Sequence, residues 1–182
     1  MSIKNTLETA KKLGITLKNL KTFPGHDGME AFDADICVNG KKVLHAYDSA
    51  HGGCYEFTPI GQDYKLAREV EADLEDKIKA FPEHETVFGG RSHTTKDTLE
   101  CVIGALVSNA TFQKDIKRDS KKGLLLEVES GYELLKWKAG TIPNMIKKFG
   151  KDKVVALIQS EYLKTKQTIL NKEYLESIGV KF

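Results

Sequence analysis

The chain has 182 residues, of which 40% are hydrophobic and 30% are charged, a composition typical of a folded globular protein and not of a disordered or fibrous one. Its main apolar run, CVIGALV at residues 101–107, is far too short to span a bilayer. The net charge of +2 conceals an asymmetry, because residues 1–90 carry 11 Lys and Arg against 15 Asp and Glu, whereas residues 91–182 carry 17 against 11. The C-terminal half is therefore where an anionic partner is to be sought.

The N-terminus lacks the apolar segment and small-residue cleavage site of a secretory signal. The three cysteines, Cys37, Cys54 and Cys101, are far apart and form no C-x-x-C pair. An odd number of widely spaced cysteines is typical of reduced thiols, which usually occupy the interior as small apolar residues. We expect a cytoplasmic protein with buried cysteines and no membrane partner.

The N-terminal third reads as a helix followed by a small antiparallel sheet. Apolar residues recur at helical spacing over residues 3–13, and a β-rich strand follows at 15–23. Two alternating runs then flank Asn39-Gly40, which is the strongest short-range signal for a β-hairpin. Residues 54–58 predict a fourth strand.

A two-residue turn at Asn39-Gly40 also predicts the hairpin register. It pairs Phe32 with Tyr47 and Ala34 with His45, and it places these four residues on one mostly apolar face. The opposite face then carries the residues of the alternate positions, which are Asp33, Asp35, Cys37, Leu44, Ala46 and Asp48.

The remaining two thirds alternate helices with a second hairpin. The predicted helices cover 63–81, 97–118, 142–149 and 151–171, and a short last piece covers 172–182. Residues 83–97 read as a loop with room for a short strand at 86–88. In the second hairpin, a turn at Ser130-Gly131 pairs Leu126 with Leu135 and Leu124 with Trp137. The fold class is α+β in a single domain, 1–182, with a natural subdivision into 1–81 and 95–182.

Two loops at one end of the first hairpin collect polar residues that suit catalysis. Candidate catalytic residues are His26 and Asp27 in the loop before the second strand, and Asp48 and His51 in the loop after the third. Imidazoles and carboxylates can do acid–base work or bind a metal. The alternative is structural, with aspartates making turn hydrogen bonds and glycines supplying positive φ. No recognised metal-ligand spacing is present, and we assign no metal or cofactor.

The other histidines and the paired aspartates favour structural roles. His45 stands among apolar neighbours in the predicted register, which indicates a satisfied, partly buried ring. His84 and His93 fall in a loop and are expected to be solvated. Asp33 and Asp35 lie two residues apart on one sheet face, where they solubilise the surface or offer a protein-binding acidic patch to a basic partner.

A basic run in the second half is the candidate for nucleic-acid binding. It lies at the end of the third predicted helix, 97–118, which is α3 in chain order, and we name its five cations the α3 cation patch: Lys114, Lys117, Arg118, Lys121 and Lys122. Lys136 and Lys138, which flank Trp137, complete the candidate set, because lysines interleaved with an aromatic residue suit phosphate contacts. The alternative for the patch is that it only neutralises the negative C-terminal end of a helix.

The stretch GHDGMEAFDADICVNGKKVLHAYDSAHGGCYEF, residues 25–57, resembles small proteins carried by bacteriophages and other mobile elements. Some proteins of this size and origin are anti-CRISPR proteins that inhibit the type II RNA-guided effector nuclease. The resemblance implies a non-enzymatic inhibitor that binds the effector, its guide RNA or their complex, and it transfers no site residues. The alternatives are a small metal- or histidine-dependent nuclease or hydrolase, and a phage regulatory protein without catalytic activity.

Overall fold

The computed structural model describes residues 3–25, 30–88, 91–129, 131–162, 164–165 and 167–182, and it confirms the predicted α+β class. The chain divides into two compact units, 1–110 and 111–182. The boundary between these units lies inside the long helix α3 (Leu99–Asp119).

Unit 1 contains a four-stranded antiparallel sheet, a short hairpin and helices. Its elements in chain order are α1 (Ile3–Lys12), β1 (Ile15–Pro24), β2 (Glu30–Val38), β3 (Lys41–Asp48), β4 (Glu56–Pro59), α2 (Tyr64–Lys79), β5 (His84–Phe88), β6 (Arg91–Thr95) and the first part of α3. The sheet order is β1-β2-β3-β4, and β5 pairs with β6 where the sequence predicted mostly loop. Phe32, Ile36 and Leu44 on one sheet face pack with helix residues such as Leu74 and Ile103 in a buried core.

The Asn39-Gly40 turn is confirmed, but the predicted register beyond it is wrong. Asn39 and Gly40 have φ of 50° and 82°, as a type I′ turn requires, and Val38 pairs with Lys41. Ile36 then pairs with Leu44, because Val43 is an extra residue in a β-bulge. The bulge shifts every later partner by one position.

The new register reverses the faces of β3. Phe32 pairs with Asp48 and Ala34 with Ala46, so the predicted partners Tyr47 and His45 lie on the other side of the sheet. Leu44 and Ala46, which the unbulged register would expose with the aspartates, are fully buried. Burial of these two apolar side chains favours the bulged register over the simple one.

Unit 2 contains the end of α3, a hairpin and three helices: β7 (Leu124–Val128), β8 (Gly131–Leu135), α4 (Ile142–Phe149), α5 (Lys151–Tyr162) and α6 (Lys172–Ser177). The predicted register of this hairpin is also wrong, because Leu124 pairs with Leu135 and Leu126 with Glu133. Gly131 pairs with Val128 and therefore belongs to β8 and not to the turn. The turn lies one residue earlier than predicted, so each residue of β7 pairs with a residue two positions earlier in β8 than predicted. Trp137 instead pairs with Gly140 across a tight turn.

The predicted helix over 151–171 ends early for a tertiary reason. α5 stops at Tyr162, and the following chain returns beside β7, where Ile169 bridges Leu126 and the Leu170 amide donates to the Leu125 carbonyl at 2.9 Å. The hydrogen bonds that these backbone groups form with β7 are more favourable than those of a longer α5. The last piece then forms α6, which the sequence left unassigned.

Asn171 joins three segments of unit 2 from a position that is only 3% exposed. Its Nδ2 donates to the carbonyl oxygens of Ser120 and Gly123, both at 2.8 Å, and its Oδ1 accepts from the Leu125 amide at 3.1 Å. All three bonds require a side chain with donors on one arm and an acceptor on the other, which only Asn or Gln supplies.

We therefore expect Asn171→Asp to destabilise the protein by roughly 2–4 kcal/mol, because a buried carboxylate would replace a donor between two carbonyl oxygens. Chemical denaturation measures the change. Asn144→Asp, at an exposed position in α4, is the matched control and should shift the free energy of unfolding by less than about 0.5 kcal/mol. Equal effects of the two variants would contradict the role of Asn171.

Candidate nucleic-acid interface

Two of the four predicted catalytic residues, Asp48 and His51, form hydrogen bonds with backbone groups of their own loop. Asp48 accepts a hydrogen bond from the Ala50 amide at 2.8 Å, and Nδ1 of His51 lies 3.0 Å from the Ser49 carbonyl oxygen. An aspartate bonded to an amide two residues later is a turn-forming arrangement. His26 and Asp27 lie outside the described residues, so the proposed catalytic set remains a prediction.

Two bulges direct side chains at Asp35 on the outer face of the sheet. β1 bulges between Lys18 and Lys21, where Asn19 adopts φ of 54°, and its Nδ2 donates to Asp35 Oδ2 at 2.7 Å. The Val43 bulge places His45 opposite Asp35, with Nδ1 3.3 Å from Oδ1. Lys42 completes an ion pair with the same carboxylate. Asp35 therefore bonds to side chains of both neighbouring strands, β1 and β3.

The environment of Asp35 stabilises its ionised form. Its side chain is 12% exposed, and the hydrogen bond from Lys42 outweighs the opposing effect of burial. With the further bonds from Asn19 and His45, the pKa of Asp35 falls from 3.8 to about 2. Both ring nitrogens of His45 face carboxylates, since Nε2 lies 3.7 Å from Asp33 Oδ2. The His45 ring thus links β3 to two residues of β2.

The outer sheet face carries both signs of charge. Lys18 pairs with Asp35 and Lys21 with Asp33 across the β1–β2 ladder, so lysines stand beside both aspartates. Phe23 and Tyr47 stack at one end of this face, with ring centroids 6.4 Å apart. Asp33 is the half-exposed member of the aspartate pair and remains a predicted protein contact, whereas Asp35 is occupied within the chain.

Part of the α3 cation patch is occupied by an internal carboxylate. Asp119 Oδ1 accepts from Arg118 Nε at 3.1 Å and Lys122 Nζ at 2.6 Å, and Oδ2 accepts from the Tyr132 hydroxyl at 2.7 Å. The bonds from Arg118, Lys122 and Tyr132 hold the pKa of Asp119 well below its usual range. Two of the five cations are thus neutralised locally, while Lys114, Lys117 and Lys121 are exposed.

A denser positive surface lies further along unit 2. Residues 136–153 contain six lysines and a single acidic residue, Asp152. All six lysines are exposed, and none forms an ion pair within the part of the chain that the structure describes. We name them the lysine surface: Lys136, Lys138, Lys147, Lys148, Lys151 and Lys153. The sequence prediction included only the first two, because the others are spread over two helices.

The helix dipole accounts for some of these lysines but not for others. Lys147 and Lys148 occupy the last turn of α4, where the negative end of the helix favours cations. Lys151 and Lys153 begin α5, where the dipole is positive and disfavours them. These two lysines therefore raise an already positive local potential, which suits an anionic ligand.

An apolar groove of about 360 Å³ lies within the lysine surface. The walls include Trp137, Met145, Phe149 and Leu157, and Lys138 and Lys153 also line it. Phe149 is 43% exposed and Leu157 is 37% exposed, although most large apolar side chains of unit 2 are in its core. The Nζ of Lys148 stands 5.1 Å from the centroid of the Phe149 ring. Aromatic rings among cations are a recurrent arrangement for single-stranded nucleic acid.

Two further predictions are wrong: that His84 is solvated, and that all three cysteines are buried. His84 is not solvated, because its side chain is 9% exposed and Nε2 lies 3.7 Å from Asp97 Oδ1, which also accepts from the Thr6 hydroxyl. His93 is exposed, as expected. Of the cysteines, Cys37 is buried as predicted, whereas Cys54 is exposed and Cys101 is half-buried.

The described ranges contain no group of three or more His, Cys, Asp and Glu side chains placed to hold a metal ion. Across the same ranges, no helix combines the length with the apolar character that crossing a bilayer requires.

Comparisons with known proteins give no match: no family model, no curated protein and no solved structure is significantly similar to this chain.

We expect Asp35→Asn to lower the free energy of unfolding at neutral pH by about 1–2 kcal/mol, because it removes the charge that Lys42 and Asn19 bind. A depressed carboxyl pKa contributes stability above 3.8 and loses it as the pH falls toward about 2. The difference in free energy of unfolding between parent and variant should therefore decrease as the pH falls from 3.8 toward about 2, which denaturation curves recorded at several pH values measure. Asp33→Asn, at the half-exposed neighbour, should have a smaller effect, and a pH-independent gap for Asp35→Asn would contradict the assignment.

Proposed function

We propose that this chain inhibits a type II RNA-guided effector nuclease by binding its guide RNA, or the effector–guide complex, through the lysine surface of unit 2. The main support for the proposal is that six exposed lysines, two of which line an apolar groove, have no acidic partner among the described residues. Such cations are free to neutralise phosphates and release counterions, which dominates nucleic-acid affinity.

Type II effectors hold the guide RNA through its backbone in positively charged channels. A basic inhibitor therefore competes with the effector for the same phosphates, or binds those that the effector leaves exposed. Sequence-independent phosphate contacts would suit a protein that must act on effectors loaded with different guides.

The remaining features of the chain are consistent with a binder. The resemblance of residues 25–57 to mobile-element proteins points to the same class. Asp33 is the predicted contact to the effector protein, and the exposed members of the α3 cation patch, Lys114, Lys117 and Lys121, extend the basic character of unit 2.

The direct test is the double variant Lys136→Ala/Lys151→Ala, which removes two exposed cations that do not line the groove. It should weaken binding to the effector–guide complex and raise the concentration needed to inhibit cleavage of target DNA. Because each lost phosphate contact on a single strand removes about 0.7 from the log–log salt slope, the slope should flatten by about 1.4. Binding titrations over a range of salt concentrations measure it.

The matched control is Lys77→Ala/Lys79→Ala on α2, where both lysines pair with acidic residues four positions earlier. It should leave inhibition and the salt slope unchanged. If the two double variants behave alike, or if the parent protein does not bind guide RNA or its complex, the lysine surface is not the inhibitory site.

A further inference from the structure

The groove within the lysine surface differs from an ordinary phosphate-binding patch, because its walls are apolar and aromatic. We propose that it holds an unstacked base of single-stranded RNA against Trp137, with the flanking phosphates on Lys138 and Lys153. This inference rests on the proposed function and specifies the form of RNA that the site binds: an unpaired segment, not a duplex.

The position of Trp137 suits it for base stacking. The chain turns back between Trp137 and Gly140, where the Gly140 amide donates to the Trp137 carbonyl at 3.0 Å. One part of the indole packs on the core of unit 2, and the half-exposed remainder lines the groove. A ring held in this way is ready to stack with a base at little entropic cost, and stacking accepts any base.

The charges beside the groove are placed for a backbone that runs past it. Lys138 is exposed at the tight turn, and Lys153 is exposed in the first turn of α5, where the helix dipole adds positive potential. Both side chains line the same groove as Trp137. A nucleotide matches both features, because it combines a flat base that stacks with an adjacent negatively charged phosphate.

The size of the groove favours a base over a peptide helix. A helical peptide uses anchors at positions i, i+3 or i+4, and i+7, which extend over about 10 Å along its axis. A volume of about 360 Å³ is near the lower limit of ordinary small-molecule sites. It accommodates one or two flat rings more readily than a row of anchors.

Trp137 is the only tryptophan of the chain, so its fluorescence reports on this groove alone. We would titrate the full protein with a short oligouridine and with an abasic ribose-phosphate chain of equal length. Stacking should quench the fluorescence with the oligouridine, whereas the abasic chain should bind more weakly and leave the emission nearly unchanged.

The variant that tests the groove without removing its reporter is Phe149→Ala. Loss of a stacking wall should weaken oligouridine binding about fivefold or more, measured by anisotropy of labelled oligonucleotides. Affinity for the abasic chain should not change. Leu66→Ala, at an exposed apolar position on α2, is the control and should alter neither affinity.

The outcomes separate the two proposals. If both chains bind equally and neither quenches Trp137, phosphate binding stands and base stacking is overturned. If neither binds, the proposed function fails with it. If an acidic amphipathic peptide binds and shifts the Trp137 emission while the oligouridine does not, the groove is a protein-docking site and the inference is overturned.

Discussion

Three hydrogen bonds of Asn171 tie the beginning of α6 to the chain that leads from α3 into β7 in unit 2. They join the chain after α3, the start of β7 and the start of α6 at a position that is only 3% exposed. With β7 fixed, the β7–β8 hairpin determines where the chain reaches Trp137 and the turn that follows. The position of Trp137 in the groove thus depends on the buried Asn171 amide as well as on the packing of Met145 and Val154 in the core of unit 2.

The placement of charge separates structural cations from candidate binding cations. Three cations each bond to a nearly buried carboxylate that neutralises their charge within the fold: Arg118, Lys122 and Lys42. Lys151 and Lys153 have no such partner in the described chain and stand at a helix end that disfavours them. Only Asp152 in the same turn offsets their charge, and residues that disfavour the local structure are expected at functional surfaces.

Local sequence signals predicted the α+β class, most elements and the Asn39-Gly40 turn, because these depend on short-range periodicity and turn chemistry. They did not predict the register beyond the turn. The bulges at Asn19 and Val43 exist because Asp35 gathers partners from both neighbouring strands and because Leu44 and Ala46 must be buried, and both causes act across the sheet. The candidate site was only half predicted for a similar reason: Lys136 and Lys138 adjoin Trp137 in sequence, whereas Lys153 and Phe149 reach the groove only through the packing of α4 and α5.

We propose that unit 2 provides the surface that engages the guide RNA, alone or within the effector complex. Hydrogen–deuterium exchange of the full protein, with and without the effector–guide complex, tests it most directly, since backbone amides at an interface exchange more slowly when it is covered. We expect protection on binding to be concentrated in residues 136–157. Protection confined to the outer sheet face around Asp33, with residues 136–157 unchanged, would contradict it.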